Sequence, residues 1–370
     1  MSNNNLLLEK CLNLIQNMFD EKRCIFSYST SIKDNSYIND FNNPLIYRYS
    51  INSFLGILKY NKHSNVKYFE NEFDKFINLH YKSISNLGDK GLLLYALSIS
   101  KHDFAKKILN ELLKLPKKNL LNLNLQEISW LILGLVKYLE YFKNENVIED
   151  LLRYFSILNT NYLNRDTLLP YHEHKFNLRK NFVSFGGIVY FLKSLYEYSN
   201  ILDDPYSRII FKELVEKVIK LQGYDGSWGW FYYINNPKVV DYFQIYSVHQ
   251  DSMALLFLIP AEKLNIEYSK DAIKKSVNWL FGDNILNQNM INEQPFFIFR
   301  SIRRKKILNE KIERILRAYK NSILNKNDNL LKAKFLEINK ECRSYHIGWI
   351  IYVWSDYHNF KEFLQIQKIK

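Results

Sequence analysis

Between Gln222 and Asp251 the chain concentrates the residue types that hold and transform small polar molecules. The run Gln222-Gly223-Tyr224-Asp225-Gly226-Ser227-Trp228-Gly229-Trp230 continues through Tyr232, Asp241 and Tyr246 into Ser247-Val248-His249-Gln250-Asp251. An imidazole titrates near neutral pH, and a carboxylate can partner it or act as an acid once desolvated, so His249 and Asp241 are the candidates for proton transfer. Asp251 and Glu341 complete the candidate catalytic set, with Asp225 and Glu293 as further carboxylates, although Asp225-Gly226 is also a turn dipeptide and Asp251 could simply complement a helix dipole. A hydrolase would set two carboxylates across the scissile bond, whereas a lyase or epimerase would use His249 or a tyrosine as base beside an arginine that neutralises a uronate.

Binding groups accompany these. Trp228, Trp230, Tyr232, Tyr246 and Tyr345 offer flat faces that could stack on a sugar ring or an isoprenoid, or pack between helices. Arg300, Arg303 and Arg343 carry the guanidinium fork that matches carboxylates and phosphates, and Gln250 and His346 add hydrogen-bonding groups. Ser247-Val248-His249-Gln250 has the form of a capping box, which would put His249 and Asp251 in the first turn of a helix. Ser344-Tyr345-His346 starts another segment in the same way, so the pattern predicts two imidazoles at one mouth of the fold. His172-Glu173-His174 has a metal-compatible spacing on a strand, without a further ligand nearby. P-loop, G-x-G-x-x-G, G-x-S-x-G and H-E-x-x-H motifs are absent, so neither a cofactor nor a metal is expected.

The elements that position these groups read as helices. Apolar cores with a small residue near the centre recur at Ser53–Leu58, Gly91–Leu97, Trp130–Val136, Phe185–Phe191, Met253–Phe257 and Ile347–Tyr352. Amphipathic stretches separate them, among them 68–77, 104–115, 147–155, 209–221 and 272–281. Alternation of fully apolar with amphipathic segments, at first about 40 residues apart, is the mark of repeated α-hairpins. Six such hairpins predict an all-α fold, an (α/α)6 toroid, with Gly56, Ala96, Gly134, Gly187, Ala254 and Gly348 where inner helices crowd. Insertions at about 221–247 and 284–342 stretch the later intervals and mark the functional mouth. A single domain over 1–370 is expected, with a helical surface excursion at about 306–340.

Composition agrees. The 370 residues are 47% hydrophobic and 16% aromatic, with only 11 Gly and 7 Pro, which favours long helices around a large core. The formal charge of +13 comes mostly from lysine spread along the chain, so no nucleic-acid partner is expected; the local exception is Arg300-Ser301-Ile302-Arg303-Arg304-Lys305-Lys306. Cys11, Cys24 and Cys342 lack a C-x-x-C spacing, and no signal peptide or membrane-spanning run is read, so a reduced, cytoplasmic chain is expected.

Gln222 to Trp228, Q-x-x-x-G-x-W, resembles the repeat of terpenoid cyclase and prenyltransferase toroids, whose acidic and zinc motifs do not follow. A longer likeness joins Trp228-Gly229-Trp230, Tyr246 to Asp251, Arg300-Ser301-Ile302-Arg303 and Glu341 to Tyr345, over roughly residues 45 to 357. These resemble a bacterial family associated with surface-polysaccharide gene clusters, similar in architecture to the six-hairpin glycosidase toroids. The resemblance implies this fold and a carbohydrate context, with a glycan or sugar-containing precursor as partner, and brings no catalytic assignment. From the residues themselves, a hydrolase, lyase or epimerase acting on a glycan is expected, and Arg300, Arg303 and Arg343 would hold the carboxylates of an acidic one. The alternatives are a toroid that binds an isoprenoid or lipid-linked precursor, and a non-catalytic partner in glycan assembly.

Overall fold

The computed structural model describes residues 3–305, 309–328 and 332–356. Lys306 of the basic run and the end of the family likeness beyond residue 356 lie outside the described residues.

Six helices form an inner ring because their central turns are apolar on every face and must be covered on every face. They are α2 (Ile46–Ser64), α4 (Leu87–Ile99), α7 (Leu125–Phe142), α9 (Phe185–Ile201), α11 (Leu255–Lys263, entered through a π-helical turn at His249–Met253) and α14 (Ser344–Trp354). Each packs on the next, and α14 closes the circle against α2. The amphipathic segments α3 (Glu70–His80), α5 (Ala105–Leu112), α8 (Ile148–Asn161), α10 (Pro205–Ile219) and α12 (Ser269–Leu280) lie outside their inner partners, α1 (Asn3–Asn17) backs α14, and the short α6 (Lys117–Leu121) leans on α8. The expected (α/α)6 toroid is therefore the observed fold.

Two of the anticipated small-residue crossings have no room for a side chain. A Cβ on Gly56 would meet the carbonyl oxygen of Gly348 at 2.0 Å, and one on Gly134 would meet that of Gly91 at 2.4 Å. These contacts bind α2 to α14 and α4 to α7, and glycine alone permits them.

Short strands occupy the loops: β1 (Phe19–Asp20) pairs with β2 (Ile25–Phe26), and β3 (Ser29–Lys33) with β4 (Ser36–Asp40). β5 (Phe182–Ser184), β6 (Phe231–Tyr233) and β7 (Lys238–Asp241) make an antiparallel sheet. β8 (Ile245–Tyr246) joins β11 (Ser301–Arg304) and β12 (Leu336–Asn339), while β9 (Ile291–Glu293) pairs with β10 (Phe296–Ile298). α13 (Glu310–Ile323) packs on β7. The last two sheets thus draw the long insertions over one mouth of the ring.

The cyclase-like motif serves this scaffold. Gln222 Nε2 donates to the carbonyls of Gly226 and Ala272 and to Ser276 Oγ, at 2.9, 3.2 and 3.0 Å, and Trp228 Nε1 donates to the same hydroxyl at 2.8 Å. Gly226 takes a φ of +84°, which favours glycine. The motif clamps the loop after α10 to α12, and Trp228 is fully buried in doing so.

Candidate active-site cleft

All six inner helices run in the same direction through the ring, and the cleft opens where their N-termini meet. Leu45, Arg48, Tyr49 and Asn52 come from the start of α2, Asn124, Gln126 and Trp130 from the start of α7, and Ser184, Gly186 and Tyr190 from the start of α9. His249 and Met253 come from the π-helical turn, Tyr345 from α14, Trp230, Tyr246 and Arg300 from the insertions, and His172 and Arg179 from the loop before β5. The cavity they enclose is about 350 Å³, at the small end of the roughly 300–1,000 Å³ of ligand pockets. Side chains at helix N-termini cap orphan amides: Asn124 accepts from Glu127 N at 3.1 Å while Glu127 Oε2 accepts from Asn124 N at 3.0 Å, and Ser184 Oγ accepts from Gly187 N. The same N-termini give the mouth a positive potential.

Charge at this mouth is mostly cationic. Arg48 lies over the Trp130 ring at 4.9 Å and is tied to Asp89 by Nε, 2.6 Å from Oδ1. Arg300 lies over Tyr246 at 5.3 Å and donates to Glu341 Oε1 at 2.6 Å. Although burial disfavours its charge, Tyr246, Tyr345 and Glu341 raise the Arg300 pKa, so the guanidinium stays charged. Burial pushes Arg179 the other way without discharging it near neutral pH. No Asp or Glu is found among the described residues that line the cleft.

Two imidazoles face this cationic space. Burial lowers the pKa of His249 to about 3, with His346 as a second cause, and lowers that of His172 to about 3, with Arg179 as the second. Both are neutral at pH 7, and their Nδ1 atoms have no hydrogen-bond partner among the described residues. Asn52 Oδ1, Arg179 Nε, Trp230 Nε1 and Arg300 Nε are likewise unpartnered. Buried polar groups normally find partners, so a concentration of open ones in one cleft marks a place shaped for a polar ligand. His249 stacks on Trp230, centroids 5.8 Å apart and 12° from parallel, while Arg314 of α13 covers Trp230 with its guanidinium 4.5 Å from the ring centroid. Tyr49 and Tyr345 meet at 4.5 Å, and burial raises the pKa of each, so both remain protonated phenols.

No known family profile matches the chain, and no curated protein matches it by sequence. Solved structures do. A possible member of the GH105 family from Salmonella enterica serovar Paratyphi A is 11% identical, with 98% of this chain and 94% of that one covered and a TM-score of 0.60. Cellobiose 2-epimerase from Bacillus thermoamylovorans is 9% identical over 95% of this chain and 99% of its own, with a TM-score of 0.62. Unsaturated glucuronyl hydrolase from Streptococcus agalactiae is 12% identical over 97% and 91%, with a TM-score of 0.55. The chain folds as a six-hairpin glycosidase-like toroid.

In this toroid the cleft gathers Trp230, Tyr246, His249, Arg300 and Tyr345 of the residues singled out by sequence. It does not gather the others. Asp241 is fully buried on β7, held by Arg304 at 2.6 Å and flanked by Arg314 at 3.5 Å and Arg317 at 3.7 Å. Burial outweighs those arginines and lifts its pKa to about 6, so it is an ionised structural anchor at pH 7. Asp251 accepts from His346 Nε2 at 2.6 Å, and its carbonyl accepts from Trp354 Nε1 at 2.9 Å, so both Asp251 and His346 are committed beneath the cleft. Gln250 spends its amide on Trp228 N and the Tyr246 carbonyl. Glu341 is shared between Arg300 and Arg343, which pull its pKa down against the effect of burial. Arg343 packs its guanidinium 3.9 Å from the Tyr28 ring centroid, Arg303 pairs with Glu337 across β11 and β12, and Tyr232 is buried on β6. Glu293 reaches Lys10 at the surface, and Asp225 caps its own turn at Ser227.

The expected capping boxes do not form. Ser247 Oγ donates to the Phe299 carbonyl and Ser344 Oγ to that of Ser27, both at 2.6 Å, so the first serine ties the two insertions together and the second ties α14 to the N-terminal strands. In place of an α-helical first turn, Ala254 N donates to His249 O at 3.1 Å, an i to i+5 bond. Such widened turns recur at functional sites. Sequence reasoning missed Arg48, Tyr49, Gln126, Trp130, Arg179 and Tyr190 in the cleft, and gave His172 only a metal reading. The signal was positional: most of them lie in the first two turns of an inner helix.

Proposed function

We propose that this toroid is a carbohydrate-active enzyme that moves a proton at the carbon beside the carboxylate of a uronic acid residue, as a lyase or an epimerase does. The observation that carries this is the pairing of two neutral imidazoles with three guanidiniums in a cleft whose described lining has no carboxylate. Hydrolysis of a glycosidic bond ordinarily requires two carboxyl groups flanking it. Abstraction of a carbon-bound proton requires a neutral base and a cation that stabilises the enolate-like charge developing on the carboxylate. His249 is the base in this reading, the protonated phenol of Tyr345 the proton donor, and Arg48, Arg179 and Arg300 hold the carboxylate.

The atoms balance in either outcome. The base takes the proton from C5, and the electron pair moves into the carboxylate system. Return of a proton to the opposite face yields the epimer, whereas expulsion of the C4 substituent, protonated as it leaves, yields an unsaturated sugar. The aromatic walls Tyr49, Trp130, Tyr190, Trp230 and Tyr246 suit sugar faces, and the proteins similar in fold are named for glycan substrates. An isoprenoid ligand finds less support, because the motif behind that reading clamps helices and the cleft is cationic.

The test is incubation of uronate-containing oligosaccharides with the enzyme in deuterated water, followed by NMR. Deuterium at C5, or a C4–C5 double bond, is the expected result. New reducing ends without either would instead assign a hydrolase.

A further inference from the structure

The excursion that holds Trp230 in place is built inside out. On α13 the face turned to the protein carries Arg314, Arg317, Ala318 and Asn321: the first two flank Asp241, Ala318 is fully buried against Phe182, Phe231 and Val240, and Asn321 Nδ2 donates to the Val240 carbonyl at 2.9 Å. The opposite face carries Ile312, Leu316 and Ile323, spaced four and seven residues apart and 57%, 64% and 79% exposed. Leu324 and Phe335 are also exposed, as are Phe176 and Leu178 on the loop that Tyr319 contacts through its hydroxyl. A surface helix ordinarily turns its apolar stripe inward, whereas this one presents protruding aliphatic side chains that no described residue covers.

The charge around this ridge indicates what covers it. Residues 303 to 340 hold twelve Lys and Arg against four Asp and Glu, a net +8 out of the chain's +13. Lys305, Lys320, Lys326, Lys332 and Lys334 are exposed there. A second copy of the same patch would set +8 against +8 in an isologous contact. Exposed aliphatics framed by lysines are instead the chemistry of a helix lying in the headgroup region of an anionic bilayer.

We infer that the outward face of α13, with its flanking lysines, docks the toroid on an anionic lipid surface. Docking there brings the cleft rim to the membrane, because the inner face of the same helix supports Trp230 through Arg314. The inference concerns where the protein works and is independent of the proton-transfer chemistry.

Co-sedimentation with vesicles tests it, using phosphatidylcholine alone and phosphatidylcholine mixed with phosphatidylglycerol. The full chain is expected to partition at least about tenfold more strongly onto the anionic vesicles, with binding that weakens as salt is raised. The double substitution Leu316→Asp/Ile323→Asp should remove at least about tenfold of that binding, while the melting temperature and turnover of a soluble oligosaccharide stay unchanged. Absence of binding to anionic vesicles, or binding that the double variant retains, would overturn the inference. So would a dimer in light scattering that the double variant dissociates, which would assign the face to a second copy, or selective capture of nucleic acid or an acidic protein in place of vesicles.

Discussion

At the mouth built from the helix C-termini, Lys137 reaches both Glu140 and Glu197, at 2.6 and 2.8 Å, and Lys193 reaches Glu197 at 2.7 Å. Lys59 pairs with Asp356, and Lys62 donates to Tyr141 at 2.6 Å. These groups line a cavity of about 260 Å³ where the negative ends of the inner helices converge, and lysines are the natural complement to those ends. At the opposite mouth His172, Arg179, His249 and Arg300 leave ring or guanidinium nitrogens without a partner among the described residues. One ring thus carries two charged mouths: at one, carboxylates of the lining match the lysines, and at the other Arg48 and Arg300 are paired from behind while nitrogens of the lining stay open. The difference separates charge that holds a fold from charge that waits for a ligand.

The largest effect expected from this contrast is on stability at the neutralised mouth. Glu197→Gln would strand the buried ammonium of Lys193 and leave Lys137 with Glu140 alone, and loss of one partner from a buried ion pair costs about 3–5 kcal/mol. Denaturant unfolding should show that loss, while turnover per folded molecule stays at the wild-type level. The converse is expected of His249→Gln: turnover on uronate substrates falls at least about 100-fold, or about 2.7 kcal/mol in activation free energy, with the unfolding midpoint nearly unchanged at pH 7. A variant that exchanges these outcomes would reverse the assignment of the mouths.

The next effect is on pH dependence. His172 and His249 have folded pKa values of about 3 against an ordinary 6.5, so the folded chain binds fewer protons than the unfolded chain between those limits. Their contribution is therefore complete above pH 6.5 and is lost as pH falls, at about 1.4 kcal/mol per unit for each histidine. Asp241, raised from 3.8 to about 6, works in the opposite sense, being favoured as pH falls through that range. Comparing His249→Gln with the wild type isolates the histidine. The variant should lose stability less steeply between pH 6.5 and 4.5, and an identical slope would contradict a buried neutral imidazole. The smallest effect belongs to Arg303→Ala. Its pair with Glu337 is about two-fifths exposed on both sides, so turnover should hold and stability should move by less than about 0.5 kcal/mol.

The ring was legible because burial on all sides leaves a continuous apolar signature, as in Trp130–Val136 and Ile347–Tyr352, and because Gly56 and Gly134 stand where backbones cross. The cleft was less so. Trp230, Tyr246, His249, Arg300 and Tyr345 stand in or beside the insertions, where polar and aromatic residues are easily noticed. Arg48, Trp130 and Tyr190 sit inside helical segments whose apolar periodicity disguises the first two turns as ordinary core. Asp241 illustrates the opposite difficulty: a carboxylate between Val239 and Tyr242 has the same local sequence whether it meets substrate or three arginines from residues 304–317. Only the return of α13 over β7 distinguishes the two.

A crystal structure of the protein with a uronate-containing oligosaccharide, carried by a His249→Gln variant to slow any turnover, tests the account most directly. The predicted result is a sugar in the N-terminal mouth, with its carboxylate on the guanidiniums of Arg48, Arg179 or Arg300 and its C5 hydrogen directed at residue 249. A sugar bound among Lys59, Lys137 and Lys193 at the other mouth, or one in the cleft with its glycosidic oxygen rather than C5 turned to residue 249, would contradict it.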